Sequence, residues 1–234
     1  MNDYLFSLFQ RDLVKKEREF FKVIKQLSDT KLDLDDQVIA NQKLVVGIVE
    51  ALNNALEVKD PYTLGHSRRV SELSWEVAKS MGLSSSKCEQ VRLAALFHDI
   101  GKIGIQDNIL LKSGPLTSEE FLEIKRHPVV SFNILKPVDP FNKLLGGVLY
   151  HHENWDGTGY PEGLKGESIP LSASIIHVAD SYDAMTSRRS YHYPMCPKTA
   201  LEEIKRMSGT RYHPDVVEHF YKINISKITE KKMA

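Results

Sequence analysis

Histidine and aspartate residues recur along this chain at intervals of about one helix plus one connection. His66 and His98 are 32 residues apart, and His127 and His151 are 24 apart. Apolar residues at helical spacing accompany these positions, so successive helices can each bring one side chain to a common centre. Imidazole with carboxylate suits Fe, Mn, Zn or Ni rather than a cysteine-bound structural zinc. The pattern predicts an all-α fold around a transition-metal site, whose candidate ligands are His66, His98, Asp99, His127, His151, His152 and Asp180.

Helical patterns, with signals for where helices start, fill most of the chain after residue 58. Residues 70–81 carry apolar side chains at helical spacing. The segments 86–89 and 117–120 both match the capping box that starts a helix. Pro128 is expected to bend or restart a helix at that point. Further helices are predicted over 141–152, 171–187, 197–209 and 214–222, with a long loop rich in Gly and Pro over 153–170. No alternating strand pair and no internal repeat is present.

Residues 1–58 form a separate segment, because they contain no proline, no histidine and one glycine. Their second half carries a short heptad seam with alternating steps of three and four residues. The seam positions are Val38, Asn41, Val45, Ile48, Leu52 and Ala55. About two and a half heptads are too few to decide between a helix packed on its own domain and one that dimerises or relays a signal. The predicted organisation is a helical segment 1–58, a domain 59–225 and a tail 226–234.

The charge balance excludes one class of partner. The chain has 31 basic and 31 acidic side chains, so it lacks the broadly basic surface that binds nucleic-acid polymers. A small anionic ligand in a local pocket remains compatible with this balance. No apolar run reaches the roughly 18 residues that a membrane-spanning helix needs, and Asp3 stands where a signal peptide carries positive charge. Cys88 and Cys196 have no CxxC partner, which indicates a reduced, cytoplasmic setting.

Several continuous stretches also resemble a known family. Residues 98–102 read HDIGK, which is similar to the HD signature of metal-dependent phosphohydrolases. Residues 151–161 read HHENWDGTGYP and resemble the second signature of the HD-GYP subfamily. Flanking matches lie at residues 60–70, 169–171 and 178–187. The resemblance covers about residues 50–222 and implies an HD-type helical bundle.

The resemblance implies a phosphodiesterase that opens the ring of cyclic di-GMP to pGpG, and many members continue to GMP. By position, one iron or manganese ion would be held by His66, His98, Asp99 and Asp180. The second would be held by Asp99, His127, His151 and His152, so that Asp99 bridges the two ions. A metal-bound hydroxide would attack phosphorus. Lys102 would neutralise charge on the transferring phosphate or assist protonation.

The same resemblance implies substrate contacts from Lys102, Asp183, Arg189, His192, Gly159 and Tyr160. Arg189 would bind phosphate through two hydrogen bonds, whereas His192 stands where the family commonly has Lys or Arg and is mostly neutral at pH 7. Gly159 would let the backbone approach a ligand or a partner protein, unless the loop is a simple connector. Tyr160 would stack on a base or pack within the loop. Tyr62 replaces the glutamate with which some members bind a third metal, so two ions are expected.

Three functions stay open from the sequence. The first is an active cyclic di-GMP phosphodiesterase, which is favoured because all seven predicted ligands and Lys102 are present. The second is a cyclic di-GMP sensor or partner-binding module with negligible turnover, suggested by residues 1–58 and His192. The third is hydrolysis of another cyclic dinucleotide or phosphoester.

Overall fold

The computed structural model describes residues 2–59, 65–187 and 193–223. Within these ranges every regular element is a helix, and the only β-type contact is an isolated bridge between Ser208 and Tyr212. The predicted all-α class is confirmed. The chain divides into two compact units, Met1–Ile48 and Val49–Ala234.

The N-terminal segment is one continuous helix, α1, over Asn2–Lys59. This agrees with the predicted helical segment, because no proline removes a backbone donor from it and one glycine costs little. The division between the two compact units lies within α1, ten residues before the predicted boundary at 58. The predicted tail 226–234 lies outside the described residues. In the described ranges, no helix combines the length and the apolar character needed to cross a bilayer.

Shorter helices build the second unit. Within residues 65–187 and 193–223 these are α2 His66–Ser80, α3 Ser85–Phe97, α4 Asp107–Leu110, α5 Ser118–Ile124, α6 His127–Leu135, α7 Leu145–Leu149, α8 Leu171–Thr186, α9 Pro197–Arg206 and α10 Pro214–Lys222. Three short 3₁₀ helices lie between them, at Ile100–Gly104, Asp139–Phe141 and Gly166–Ser168.

Local signals account for several helix starts. Thr117 caps α5 in the predicted capping box. α6 begins at His127 with Pro128 in its first turn, where no backbone donor is required. The other predicted capping box is wrong, because α3 is capped by Ser84 and not by Ser86. Ser84 has the extended backbone that an N-cap residue adopts, so the helix begins two residues earlier than predicted.

The helix predicted over 141–152 is shorter than expected. α7 covers only Leu145–Leu149 within it, after a 3₁₀ turn that ends at Phe141. Gly147 gives α7 room beside α3, because a Cβ atom there would lie 3.1 Å from Ala94 Cβ, a tighter contact than usual. The helices α3 and α7 can therefore approach closely, and the chain leaves α7 just before the two adjacent histidines.

The helix α8 is the centre of the second unit. It packs against α2, α3, α7, α9 and α10. Ile175 and Ile176 on this helix are fully buried. Its two carboxylates, Asp180 and Asp183, therefore need partners, because an unpaired charge in such a place is costly. Both find these partners at the ends of neighbouring helices.

Candidate metal centre

All seven predicted metal ligands lie in one cluster. They come from the start of α2, the residues after α3, the start of α6, the residues after α7 and the middle of α8. Their ligand atoms form three overlapping groups, and within each group the atoms lie within 4.8 Å of one another. The groups are His66, His98 and Asp180; His127, His151 and His152; and His98, Asp99 and His151. The helices therefore converge as the sequence spacing predicts.

Asp99 lies between the first two groups. Its Oδ2 atom is 3.3 Å from Nε2 of His98 and 3.6 Å from Nε2 of His66. Its Oδ1 atom is 3.2 Å from Nε2 of His127. Each carboxylate oxygen therefore faces a different set of imidazoles, which is the arrangement that a bridging carboxylate requires.

Three of the imidazoles are oriented by backbone carbonyls one helical turn earlier. Because a carbonyl only accepts, each Nδ1 donates to it, and the Nε2 atom of each ring faces the centre. The distances are 2.7 Å from His98 to Ala95 O, 2.8 Å from His127 to Ile124 O and 2.6 Å from His151 to Val148 O. The helix ends thus fix the tautomer that suits a metal ligand.

His66 is oriented by a carboxylate instead. Its Nδ1 lies 2.7 Å from Oδ2 of Asp183. The Arg69 guanidinium donates to both oxygens of that carboxylate, at 2.6 and 3.0 Å. Asp183 is only 3% exposed and lies behind His66. Its contacts are those of a group that holds a ligand in position, whereas the sequence predicted a substrate contact.

The protonation states of the cluster suit a bound cation. Burial lowers the pKa of His151 and His152 well below the ordinary histidine value, so both rings are neutral. Burial by itself would raise the pKa of Asp99, but the charges of His98 and Lys102 hold that pKa well below its usual range. Neutral imidazole and ionised carboxylate are the forms that bind metals.

Two buried nitrogen atoms indicate where a cation fits. Among the described residues, Nε2 of His66 and Nε2 of His98 make no hydrogen bond. They lie 3.2 Å from Asp180 Oδ1 and 3.3 Å from Asp99 Oδ2. Against the effect of burial, the carboxylates of Asp180 and Asp183 raise the pKa of His66 to about 10. A cation between these atoms would satisfy both nitrogens and displace that proton, so the residues fit a transition-metal ion.

A cavity of about 470 Å³ opens above the cluster. This volume lies in the range of small-molecule sites. Its lining combines predicted ligands with polar and aromatic side chains: Asp99, Lys102, Ile124, His127, His152, Tyr160, Asp180, Ser181, Ala184, Met185, Arg211 and Tyr212.

Among the described residues, two of the predicted substrate contacts line this cavity, namely Lys102 and Tyr160. The Lys102 ammonium lies 2.5 Å from Oδ2 of Asp99, so it stands at the metal-ligand end. The Tyr160 ring stacks on His152, with the ring centroids 4.8 Å apart and an angle of 29°. The Lys125 ammonium also lies over the Tyr160 ring, 5.2 Å from its centroid. Of the two roles open from the sequence, the structure shows Tyr160 packing on a predicted ligand.

The loop after His152 is folded onto its own backbone. A Cβ atom on Gly159 would lie 2.5 Å from Cα of Glu153 and closer still to the amide nitrogen of Asn154. The absence of a side chain at Gly159 therefore lets this part of the loop pack closely against the backbone of Glu153 and Asn154. The Glu153 carboxylate, on a residue 2% exposed, accepts hydrogen bonds from the amides of Glu162 and Gly163 at 2.8 and 3.0 Å.

Sequence reasoning missed three side chains that matter here, namely Arg69, Glu153 and Arg211. Arg69 and Glu153 lie inside the matched stretches, so their positions were a signal, but their roles depend on contacts with residues far along the chain. Arg211 lies in no motif. Three predicted positions, Tyr62, Arg189 and His192, lie outside the described residues.

Comparison with known proteins gives one family. A family model described as HD domain matches residues 50–216. The chain is 47% identical over 178 residues to a cyclic di-GMP phosphodiesterase of Thermotoga maritima, which covers 75% of this chain and 48% of that protein. It is 37% identical over 168 residues to a 3'3'-cGAMP-specific phosphodiesterase of Vibrio cholerae, which covers 72% of this chain and 36% of that protein. The chain therefore spans at most about half the length of these curated relatives.

A solved structure shows the same fold. An HDG"Y"P protein from Bdellovibrio bacteriovorus superposes with a TM-score of 0.56 at 21% identity. The match covers 67% of this chain and 50% of that one. The helical fold is thus shared with that protein.

Proposed function

Because this chain belongs to the HD domain family, in its HD-GYP branch, we propose that it is a metal-dependent phosphodiesterase that hydrolyses cyclic di-GMP. The observation that carries the proposal is the position of Asp99. Its two oxygens face different imidazoles beside a cavity that also contains Lys102. The similarity to a cyclic di-GMP phosphodiesterase supports the substrate. The expected product is pGpG, with GMP after a second hydrolysis.

Two divalent ions, iron or manganese, suit the nitrogen and oxygen donors of the cluster. One ion would be held by His66, His98 and Asp180 and the other by His127, His151 and His152, with Asp99 shared. Such ions supply Lewis acidity toward a phosphoryl oxygen and make hydroxide available near neutral pH.

The side chains of the protein supply the positioning and the charge. Carbonyl-bound imidazoles keep their Nε2 atoms toward the centre, so binding requires little reorganisation. Asp183 keeps His66 in place. Lys102 would neutralise a phosphoryl oxygen or donate a proton to the departing sugar oxygen. Arg189 and His192 stay predicted phosphate contacts.

A second substrate has specific support. The similarity to a 3'3'-cGAMP-specific phosphodiesterase favours that cyclic dinucleotide as an alternative. The metal ligands and Lys102 act on a phosphodiester, which both molecules contain, so the centre itself does not choose between them. The choice depends on the cavity wall.

The proposal is tested by product analysis. We expect the protein, reduced and loaded with Mn²⁺ or Fe²⁺, to convert cyclic di-GMP to pGpG or GMP on chromatography, and a chelator to stop the reaction. Cyclic di-GMP and 3'3'-cGAMP are offered separately at equal concentrations.

Two outcomes would contradict it. Tight binding of cyclic di-GMP without any product would identify a sensor. Turnover of 3'3'-cGAMP alone would identify the alternative substrate.

We also propose that α1 forms a dimer with a second copy of the chain. The exposed apolar stripe extends further toward the N-terminus than the predicted seam, because Phe20, Ile24, Leu27 and Leu34 continue its spacing. Ile24, Val38 and Val45 fall in one set of heptad positions, and Leu27 and Leu34 fall in the other. β-Branched residues at the first set with leucines at the second favour two parallel strands, and only Ile48 and Leu52 are exchanged between the sets. Lys31 occupies one core position of the seam, and a lysine there also restricts the register and the number of helices that associate.

Sedimentation equilibrium tests this dimer. We expect a mass of about twice 26.6 kDa at micromolar concentration. Leu27→Glu or Leu34→Glu should give the monomer mass, because each places a charge in the seam. Leu32→Glu is the matched control, since Leu32 is equally exposed at 65% but lies off the stripe. A monomeric parent protein would refute the proposal.

A protein partner at the loop that contains Gly159, Tyr160 and Pro161 stays a prediction. Thr158 near the loop tip is exposed, whereas Glu153 and Tyr160 face inward. The cytoplasmic setting also stays a prediction from the cysteine content.

A further inference from the structure

Arg211 lies at the wall of the cavity, between α9 and α10. Its Nε atom donates to Nε2 of His177 at 3.4 Å, and its guanidinium carbon lies 5.5 Å from the centroid of the Tyr212 ring. His177 is buried, and burial together with the Arg211 charge lowers its pKa to about 4. The imidazole is therefore neutral and can accept this hydrogen bond.

These contacts leave the terminal nitrogens of Arg211 for a ligand. Throughout the described residues, no carboxylate lies within ion-pair distance of its guanidinium. Other arginines differ in this respect. Ion pairs hold Arg69 to Asp183, Arg92 to Glu89, Arg126 to Glu123 and Arg206 to Glu203. Arg211 is exposed, its guanidinium contacts an imidazole and an aromatic ring, and no ion pair to a described residue holds it.

The charges of the cavity are distributed between two places. Among the described residues that line it, the cations are Lys102 and Arg211. The Lys102 ammonium contacts Asp99 and so stands at the predicted metal ligands. Arg211 stands beside His177 and Tyr212 instead. A cyclic dinucleotide carries two phosphodiesters, of which only one can occupy the reacting position.

We propose that Arg211 binds the phosphodiester of the cyclic dinucleotide that is not being cleaved. This rests on the proposed function and adds a substrate-binding residue to it. The planar guanidinium can donate two parallel hydrogen bonds to the non-bridging oxygens, which an ammonium cannot do in the same geometry. Phosphate is common to all cyclic dinucleotides, so Arg211 contributes to affinity without reading the base.

The test compares two kinds of substrate. Arg211→Ala should raise KM for cyclic di-GMP about 10- to 100-fold, the range expected for lost charge-assisted hydrogen bonds, with kcat nearly unchanged. KM for 3'3'-cGAMP, where it is a substrate, should rise by the same factor. Hydrolysis of bis(p-nitrophenyl) phosphate should not change, because that compound has a single phosphodiester. Arg211→Lys should recover only part of the affinity.

Arg206→Ala is the matched control, since Arg206 is an exposed arginine of α9 that is paired with Glu203. A KM like that of the parent protein in Arg211→Ala would overturn the assignment. So would an equal loss on bis(p-nitrophenyl) phosphate, which would place the effect at the metal centre, or unequal losses on the two dinucleotides, which would indicate base reading. If the parent protein cleaved bis(p-nitrophenyl) phosphate but no cyclic dinucleotide, the proposed function itself would fail, and the assignment with it.

Discussion

Gly101→Ala is expected to destabilise the protein and to disturb the metal centre together. A Cβ atom at this position would lie 2.5 Å from the amide nitrogen of Ser131 and closer still to the carbonyl oxygen of His127. These atoms belong to the backbone of α6, which cannot rotate away as a flexible side chain can. Overpacking of this kind costs about 3 kcal/mol, which corresponds to a fall in Tm of about 6–12 °C for a chain of this size.

The position of Gly101 explains why metal loading should fall as well. Gly101 follows Asp99 by two residues, and its amide donates to Ser131 Oγ at 2.8 Å. The same hydroxyl donates to the carbonyl of His98 at 2.8 Å. Pushing this segment away from α6 separates Asp99 from His127, which are 3.2 Å apart at their nearest ligand atoms. Elemental analysis of the purified variant should therefore show less bound metal.

Gly104→Ala is the matched control for this substitution. Gly104 lies in the same 3₁₀ helix, but a Cβ atom there would be 3.6 Å from Val130 Cγ1, an ordinary contact. Its free energy of unfolding should stay within about 0.5 kcal/mol of the parent value. Denaturant unfolding of the two variants compares them directly. Equal stability of Gly101→Ala and Gly104→Ala would contradict this account of the packing.

The sequence predicts the helices well where the signal is local. The capping box at Thr117 and the predicted helix over 214–222 both agree with the structure. The caps and prolines act within one turn, so neighbouring residues contain the information. At α3, two serines two residues apart both suit an N-cap, and the sequence pattern favoured the wrong one. The glycines that permit close helix contacts, such as Gly147, depend on which helix lies opposite.

In the candidate site, too, some features are predicted from the sequence and others depend on tertiary contacts. Spacing along the chain predicts that seven side chains converge, and the structure brings them together. Spacing does not reveal that Asp183 lies behind His66, because that contact joins residues 117 apart in sequence. It also gives no signal for Arg211, which enters the cavity wall only because α9 and α10 fold against α8. The motifs predict which residues are ligands, whereas tertiary contacts determine which groups orient those ligands.

Asp99→Ala is expected to have the largest effect on activity. Asp99 is the one predicted ligand whose two donor atoms face both groups of imidazoles, at 3.3 and 3.2 Å. Removing it takes the shared carboxylate from both groups, leaves the second group with imidazoles alone, and withdraws the contact of Lys102. Metal ions contribute several kcal/mol to such reactions, so hydrolysis of cyclic di-GMP should fall by about three orders of magnitude or more.

Two further variants separate the causes of this loss. Asp99→Asn keeps the size of the side chain but removes its charge, and it should also fail to hold two ions. Asp215→Ala is the control, since Asp215 is exposed on α10 and lies outside the cluster. Its activity and its metal content should equal those of the parent protein.

In the proposed centre, Asp99 joins two groups of ligands into one binuclear site. The decisive measurement is the metal content per chain, by elemental analysis after loading with Mn²⁺ and removal of free ions. We expect two ions per chain in the parent protein and in Asp215→Ala, and well below one in Asp99→Ala. Normal metal content in Asp99→Ala, or a third stoichiometric ion in the parent protein, would contradict the proposed centre.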